Sequence, residues 1–316
     1  MFRSLHAALL GIFALAFAAL PAAAEEFPSK EVSLIVNYGA GGTTDTATRI
    51  LADKAEEFLG KPIAVLNRAG GAGTAGPSQL ARSKPDGYTV GVTSLSPLTV
   101  TPHTLDVPFK TADFQFLLGY FRYVYGVGVA KSSPFKDFKS VVESADGGKR
   151  ITWAVASTDE RILVATLNKL TGANFIPVPF NSGSEREVAI MGGKVDLSIV
   201  GSASANVRSG EIRLIAAAGP ERWSTAPEVP TLIEQGFDAS IESWAGLAAP
   251  AGTPKEAHDV LEAAFLKAAT DPDVIEKLRG LGLDSAAMTG AEYAAFVDKR
   301  FKDNKRWIEE LDLSKK

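Results

Sequence analysis

Residues 37–45 read NYGAGGTTD, a glycine-rich turn between an apolar strand, Val32–Val36, and a helix beginning near Asp45. A second such turn, NRAGGAGTAG at residues 67–76, follows a second short strand at 62–66. A strand, a tight glycine turn and a helix in succession leave few folds open, because repeated β-α units build a parallel sheet. The two turns also bring free backbone N–H groups to one edge of that sheet. The first turn of a helix has unpaired donors and the positive end of its dipole, so this edge suits an anion. Gly41 and Gly42 let the backbone approach such a group. Asp45 stands in the first helical turn behind them, either as a cap or as a polar contact to a ligand.

The pattern continues along the chain. A helix over 45–59 carries Ala47, Ile50, Leu51, Ala55 and Phe58 at helical spacing and ends at Gly60. A helix over 73–83 and a strand over 88–93 follow, the strand running into Ser94-Leu95-Ser96-Pro97. After a β-rich run at 116–130, the alternation restarts. Strands are expected at 151–156, 176–180, 195–200 and 212–217, with helices at 159–170 and 184–191. A last strand at 243–248 precedes a tail, 254–311, that reads as almost entirely helical. Two α/β cores in one chain leave a cleft between them, and open α/β sheets bind ligands at the carboxyl ends of their strands. The runs 116–130 and 241–248 are the expected crossings between the cores.

The first 24 residues have one basic residue, Arg3, an uncharged apolar run from Leu9 to Leu20, and Ala22-Ala23-Ala24 before Glu25. This is the order of a cleavable secretory signal. The expected product is an exported, soluble protein. Its remaining length exceeds what one hydrophobic core usually serves. The formal net charge of −4 is spread in mixed sign with no basic block, which argues against nucleic acid. The absence of cysteine removes disulfides, thiolate nucleophiles and cysteine-based metal sites.

Residues 71–76 form a literal G-x-G-x-x-G that includes Gly71 and Gly73. It follows the second strand, and Thr93 and Ser94 stand where a dinucleotide fold needs an acid, so no cofactor is expected. No catalytic residue or metal site emerges. There is no nucleophile elbow and no H-E-x-x-H, His103 lies in a Pro-rich loop, and His258 falls on a polar helix face. The second core repeats the turn pattern with hydroxyls: Ser157, Thr158 and Asp159 after one strand, Asn181, Ser182 and Ser184 after the next, and Ser202 after a third. Ser184 reads as a helix cap. Together these positions fit a site that holds a polar ligand by hydrogen bonds. Trp244 is read as a cleft wall, with the core as the alternative.

The residues that resemble a known family run the length of the chain. They are the aromatic-x-A-G-G-x-x-D loop at 38–45, N-R-x-G-x-x-G at 67–73, P-D-G-Y-T at 85–89 and V-P-F at 178–180. They continue with G-G-x-V-D at 192–196, G-x-I-R-L-I-A at 210–216, E-V-P-T-L-x-E-x-G at 228–236 and W-x-G-L-x-A-P-A-G-T-P at 244–254. In this order and spacing they resemble the extracytoplasmic substrate-binding receptors of tripartite tricarboxylate transporters, the Bug family.

The resemblance implies an α/β, two-lobed periplasmic-binding-protein (type II-like) fold with a central cleft and hinge strands. Residues 25–123 and 243–316 would form a carboxylate-gripping lobe, and 124–242 a specificity lobe. The grip maps onto Tyr38, Gly41, Gly42, Thr43 and Asp45, with Gly71, Gly73, Ser94 and Ser96 beside them. The distal half of the ligand maps onto Ser157, Thr158, Asp159, Asn181, Ser182 and Ser202. The implied partners are a small carboxylate and the large and small membrane subunits of a permease, with the receptor a monomer and not an enzyme.

Two departures stand out. Proline is common in the family where Asn37 or Gly39 stands, and where Ala69 stands, which predicts looser loops here. Ser157-Thr158-Asp159-Glu160-Arg161 stands where many members carry a small glycine/serine turn; its charges read as a surface ion cluster, with exclusion of highly charged tricarboxylates or pairing with a ligand amine as the alternatives. An exported enzyme on the same fold, or a co-receptor presenting ligand to a sensor kinase, are the competing functions.

Overall fold

The computed structural model describes residues 26–180, 183–202 and 204–313. The expected signal segment, Asn181 and Ser182 therefore lie outside the described residues. In chain order the first sheet receives β1 (Val32–Val36), β2 (Ile63–Asn67), β3 (Thr89–Ser94) and β4 (Phe114–Tyr123), with α1 (Thr43–Leu59), α2 (Ala75–Leu80), α3 (Leu95–Thr99) and α4 (Thr101–Thr104) between them. The second sheet receives β5 (Tyr125–Ala130), β6 (Ile151–Val155), β7 (Phe175–Pro179), β8 (Leu197–Gly201) and β9 (Ile212–Ala217). Its helices are α5 (Phe138–Asp146), α6 (Thr158–Thr171), α7 (Gly183–Met191) and α8 (Ala205–Arg208). The chain then returns to the first sheet with β10 (Ser243–Pro250), α9 (Lys255–Ala269), α10 (Pro272–Gly280), β11 (Asp284–Thr289) and α11 (Gly290–Glu310).

The first sheet has the order β11-β4-β10-β3-β1-β2 and the second β7-β6-β8-β5-β9. Strands β2, β1 and β3 are parallel, as the β-α-β-α-β reading requires, while β10 joins β3 and β4 antiparallel. The second sheet is mixed rather than parallel, because β5 runs antiparallel to both β8 and β9. Each sheet has its own core. One gathers Leu34, Leu51, Phe121 and Leu247; the other packs Phe138, Trp153 and Phe175 as mutually tilted rings. The chain passes from one sheet to the other at Val124, between β4 and β5, where Tyr123 and Tyr125 stack at 6.1 Å with planes 9° apart. Among the described residues no helix is long and apolar enough to cross a membrane.

Local chemistry sets the element ends. Helix α6 begins with a reciprocal capping box between Ser157 and Glu160, and α11 with one between Thr289 and Glu292. Helices α1 and α6 stop at Gly60 and Gly172, both left-handed. Two elements differ from expectation. Helix α5, capped by Asp137, lies in a stretch to which no element is assigned from sequence. The tail is interrupted by β11, whose sequence DSAAMT has no β-branched run and pairs as an edge strand on β4. There the exposed edge of β4 overrides local preference.

Trp244 is core: it is 5% exposed and meets Phe296 edge-on at 5.9 Å. His103 sits on α4 and its Nε2 pairs with the Phe301 carbonyl, while His258 is mostly buried, with Nε2 3.0 Å from the Phe116 carbonyl. Neither stands in a loop or on an open polar face.

Strand β10 crosses closely under α11 because Gly246 has no side chain. A Cβ there would stand 2.2 Å from Tyr293 Cε1 and 2.5 Å from the Leu118 carbonyl. Tyr293, fully buried, donates its hydroxyl to the Thr93 carbonyl at 2.5 Å. Gly246→Ala should therefore cost about 2–3 kcal/mol, read as a lowered urea midpoint with an unchanged slope. An unchanged midpoint would show that β10 and α11 separate freely.

Candidate functional site

The turn between β1 and α1 is tied down from behind. Asp45, 3% exposed, accepts from the Gly41 amide at 2.8 Å, from Arg49 Nε at 3.1 Å and from Asn67 Nδ2 at 2.8 Å. Burial pushes this carboxyl up, but the bonds from Arg49, Gly41 and Asn67 outweigh it and hold it below its ordinary value. Asn67 also donates to the Tyr38 carbonyl at 3.0 Å, so the end of β2 anchors the turn after β1. At position 37, where the family often has proline, side-chain hydrogen bonds hold the turn instead. Asn37 is fully buried and donates to the Gly73 carbonyl at 3.1 Å and toward Ser94 Oγ at 3.4 Å, which joins the first glycine turn to the second.

With Asp45 turned inward, the outer side of the turn faces a cavity of about 1090 Å³ between the two sheets. Tyr38, Gly39, Ala40, Gly42 and Thr43 border it from the first sheet, together with Ser96 on α3 and Tyr123. From the second sheet come Tyr125, Ser157, Thr158, Asp159, Glu160, Arg161 and Arg186. The N-cap of α1 is Gly42, with no side-chain cap. The amides of its first turn therefore remain available to an anion. Burial raises the hydroxyls of Tyr38, Tyr123 and Tyr125, so they stay neutral. Thr44 and Tyr123 share a hydrogen bond of 2.5 Å that fixes one ring against α1.

Of the residues singled out from sequence, the cavity brings together Tyr38, Gly42, Thr43, Ser96, Ser157, Thr158 and Asp159. Asp45 supports the turn from its buried side, holding the amide of the exposed Gly41. Gly71 and Gly73 also stand off the cavity, where Ala72 reaches it instead; Gly73 has φ +87° and packs on Pro97 and Tyr38. Ser94 is 2% exposed and bonds to Asn37. Ser202 belongs to a different cavity of about 750 Å³, and its hydroxyl donates to the Gly282 carbonyl of the other lobe. Ser184 is an exposed residue in the first turn of α7 and lies away from the cleft.

The segment 159–161 is not a surface ion cluster. Glu160 is 4% exposed and accepts from the Ala156 and Ser157 amides at 2.5 and 3.3 Å. It also pairs with Arg186 Nη1 at 2.5 Å. Arg186, 8% exposed, was missed in the sequence: a lone arginine on a short helix carries no signal until its partner is seen 26 residues away. A buried pair of this kind is sensitive to losing one member, which strands the other charge. Asp159 borders the cleft. Burial lifts its carboxyl from 3.8 to about 6, against the pull of the Ser96 hydroxyl and the Arg300 guanidinium, both from the opposite lobe, with Glu160 adding to the rise.

A carboxyl with a raised folded pKa holds its proton more tightly folded than unfolded. Its stabilising contribution is full below about pH 4 and is lost as pH rises through about 6. Asp159→Asn should therefore stabilise the protein by about 1–2 kcal/mol at alkaline pH and hardly at all near pH 4, measured by thermal unfolding across pH. A larger gain at low pH would reverse the assignment.

The sequence model described as Tripartite tricarboxylate transporter family receptor matches residues 47–313. A relative from Cupriavidus necator, the UPF0065 protein in the gbd 5′ region, is 32% identical over 310 residues, covering 96% of this chain and 94% of its own. A solved structure described as a periplasmic transporter superposes with a TM-score of 0.79 at 28% identity, covering 91% of this chain and 99% of that one. MatC from Rhodopseudomonas palustris, with bound malate, superposes with a TM-score of 0.74 at 26% identity, covering 89% and 100%.

Proposed function

The chain belongs to the tripartite tricarboxylate transporter receptor family, and from that premise we propose that it is a periplasmic receptor for a small organic carboxylate. The observation that carries this reading is the uncapped start of α1 at Gly42, open to a cavity of about 1090 Å³ between two lobes. That MatC was solved with malate in the same fold supports it. The ligand carboxylate sits at residues 39–43, against the free amides and the positive end of α1. Tyr38 and Ser96 flank it. Ser157, Thr158 and Asp159 face its other end; Asn181 and Ser182 lie outside the described residues.

Residues 25–123 and 243–316 act as one lobe and 124–242 as the other, hinged at Val124 and at the return into β10. Ligand favours the closed arrangement by its differential affinity for it. The monomeric receptor then delivers its solute to a permease with one large and one small integral membrane subunit. No covalent chemistry is involved.

Gly42→Val tests the grip. Its Cβ would approach the Gly39 carbonyl at 3.3 Å, a contact the turn can absorb, while the isopropyl group fills the space at the helix end. A thermal-shift screen of mono-, di- and tricarboxylates should find a binder that adds about 2.7 kcal/mol at a hundredfold excess over its Kd. Gly42→Val should lose at least about tenfold in affinity for that binder, with the fold retained. Undiminished affinity would place the carboxylate elsewhere.

A further inference from the structure

The second-lobe wall of the cleft carries charge arranged unequally. Glu160 and Arg186 neutralise one another at 2.5 Å, and Glu160 also takes two amides at the start of α6. Of the other donors of Arg186, which borders the cleft, Nε has no acceptor and almost no exposed surface, so an incoming group does not reach that atom. Arg161 also borders the cleft but is exposed to solvent, where screening leaves it little pull.

Asp159 is the group left unmatched. No cation among the described residues comes within the 4.0 Å of an ion pair with its carboxylate. The groups that act on it are Ser96 from α3, Arg300 from α11, Glu160 from its own helix, Tyr38 from the turn before α1, and Tyr125 from β5. Arg300 is the cation in this set, and it acts from beyond ion-pair distance. A carboxylate half removed from water with no close counter-charge is stabilised by any cation brought to it. It also repels a second ligand carboxylate.

We propose that Asp159 receives a cationic group on the ligand, so that the solute is a small amino-carboxylate. Its carboxylate lies in the turn at residues 39–43 and its ammonium lies on Asp159. This rests on the carboxylate-receptor reading and narrows it to zwitterions. Because the cation prefers ionised Asp159, binding weakens as pH falls through the titration of that carboxyl. A dicarboxylate would behave in the opposite sense, since its far end is accepted only when Asp159 is protonated.

Calorimetry with matched probes separates these cases. The amino-carboxylates are glycine, β-alanine and γ-aminobutyrate, the dicarboxylates succinate and glutarate, and the monocarboxylate butyrate, each titrated at about pH 8 and about pH 5. At the higher pH one of the amino-carboxylates should bind at least about tenfold more tightly than either dicarboxylate or butyrate. Asp159→Asn should erase that preference together with the pH dependence, and Asp159→Glu should restore both in part. Dicarboxylates that bind best and gain affinity at low pH would overturn the ammonium assignment and leave the carboxylate receptor standing. Equal affinity of wild type and Asp159→Asn for the preferred amino-carboxylate would also overturn it. If none of the carboxylates binds, the receptor reading fails and the ammonium assignment fails with it.

Discussion

The inward turn of the Asp45 carboxylate is the constraint on which the cleft depends. A glycine-rich segment has a large conformational entropy to lose, and the glycines of NYGAGGTTD offer no side chains to hold it. Asp45 supplies the missing restraint by accepting from the Gly41 amide inside the turn and from Asn67 on the neighbouring strand. Arg49, one helical turn on, neutralises it. The geometry has a functional corollary. Had Asp45 pointed outward, its charge would have opposed any anion at the start of α1. Turned inward and paired, it shapes the turn while the dipole remains the dominant field at its mouth.

The two walls of the cleft are built on different principles. The first-lobe wall offers backbone amides, a threonine and neutral tyrosines, and the sheet's parallel half fixes them. The second-lobe wall offers side-chain charge, with the α6 cap, Glu160, doubling as the partner of Arg186. Capping and ion pairing in one carboxylate couple the start of α6 to α7. A shift of either helix would therefore be felt at Asp159, the residue between the cap and the cleft.

The turns and the first parallel strands were legible because both are local. Glycine at a strand end, a helical apolar stripe and a terminating glycine are all read within a dozen residues. What was not legible depends on distant partners. Strand β11 exists because β4 has an open edge, and from sequence Asp284–Thr289 reads as part of a helical tail. Asn37 looked like a lost proline, yet it is a suture to Gly73 and Ser94, residues that lie 36 and 57 positions away. Arg186 and Glu160 were invisible as a pair for the same reason. At the site itself the sequence located the loops but not their inner and outer faces. It grouped Gly41, Asp45, Gly71, Gly73 and Ser94 with residues that border the cavity, whereas Asp45, Gly73 and Ser94 are buried behind its wall and Gly41 and Gly71 are exposed outside it.

For a receptor that works by closure, the strength of the contacts across the lobes must stay below what a ligand contributes. The two cores are separate clusters with different strands, so opening the cleft need not disturb either. What joins the lobes away from the cleft is sparse and polar. Lys169 on α6 meets Glu310 on α11 at 3.4 Å with both side chains exposed, an interaction worth about 0–1 kcal/mol. Arg122 bridges Glu221 at 2.6 Å and Asp284 at 2.9 Å near the crossing strands, where it braces the hinge and not the mouth. On the proposed closure, contacts of this size would leave open and closed states close in energy, so that a ligand need favour one by only a few kcal/mol to hold it. Asp159 sits where that difference is decided. Its carboxylate reaches toward Ser96 and Arg300 of the opposite lobe, which favours closure, while the desolvation it meets there opposes it. A counter-charge on the ligand removes the opposing half of that balance.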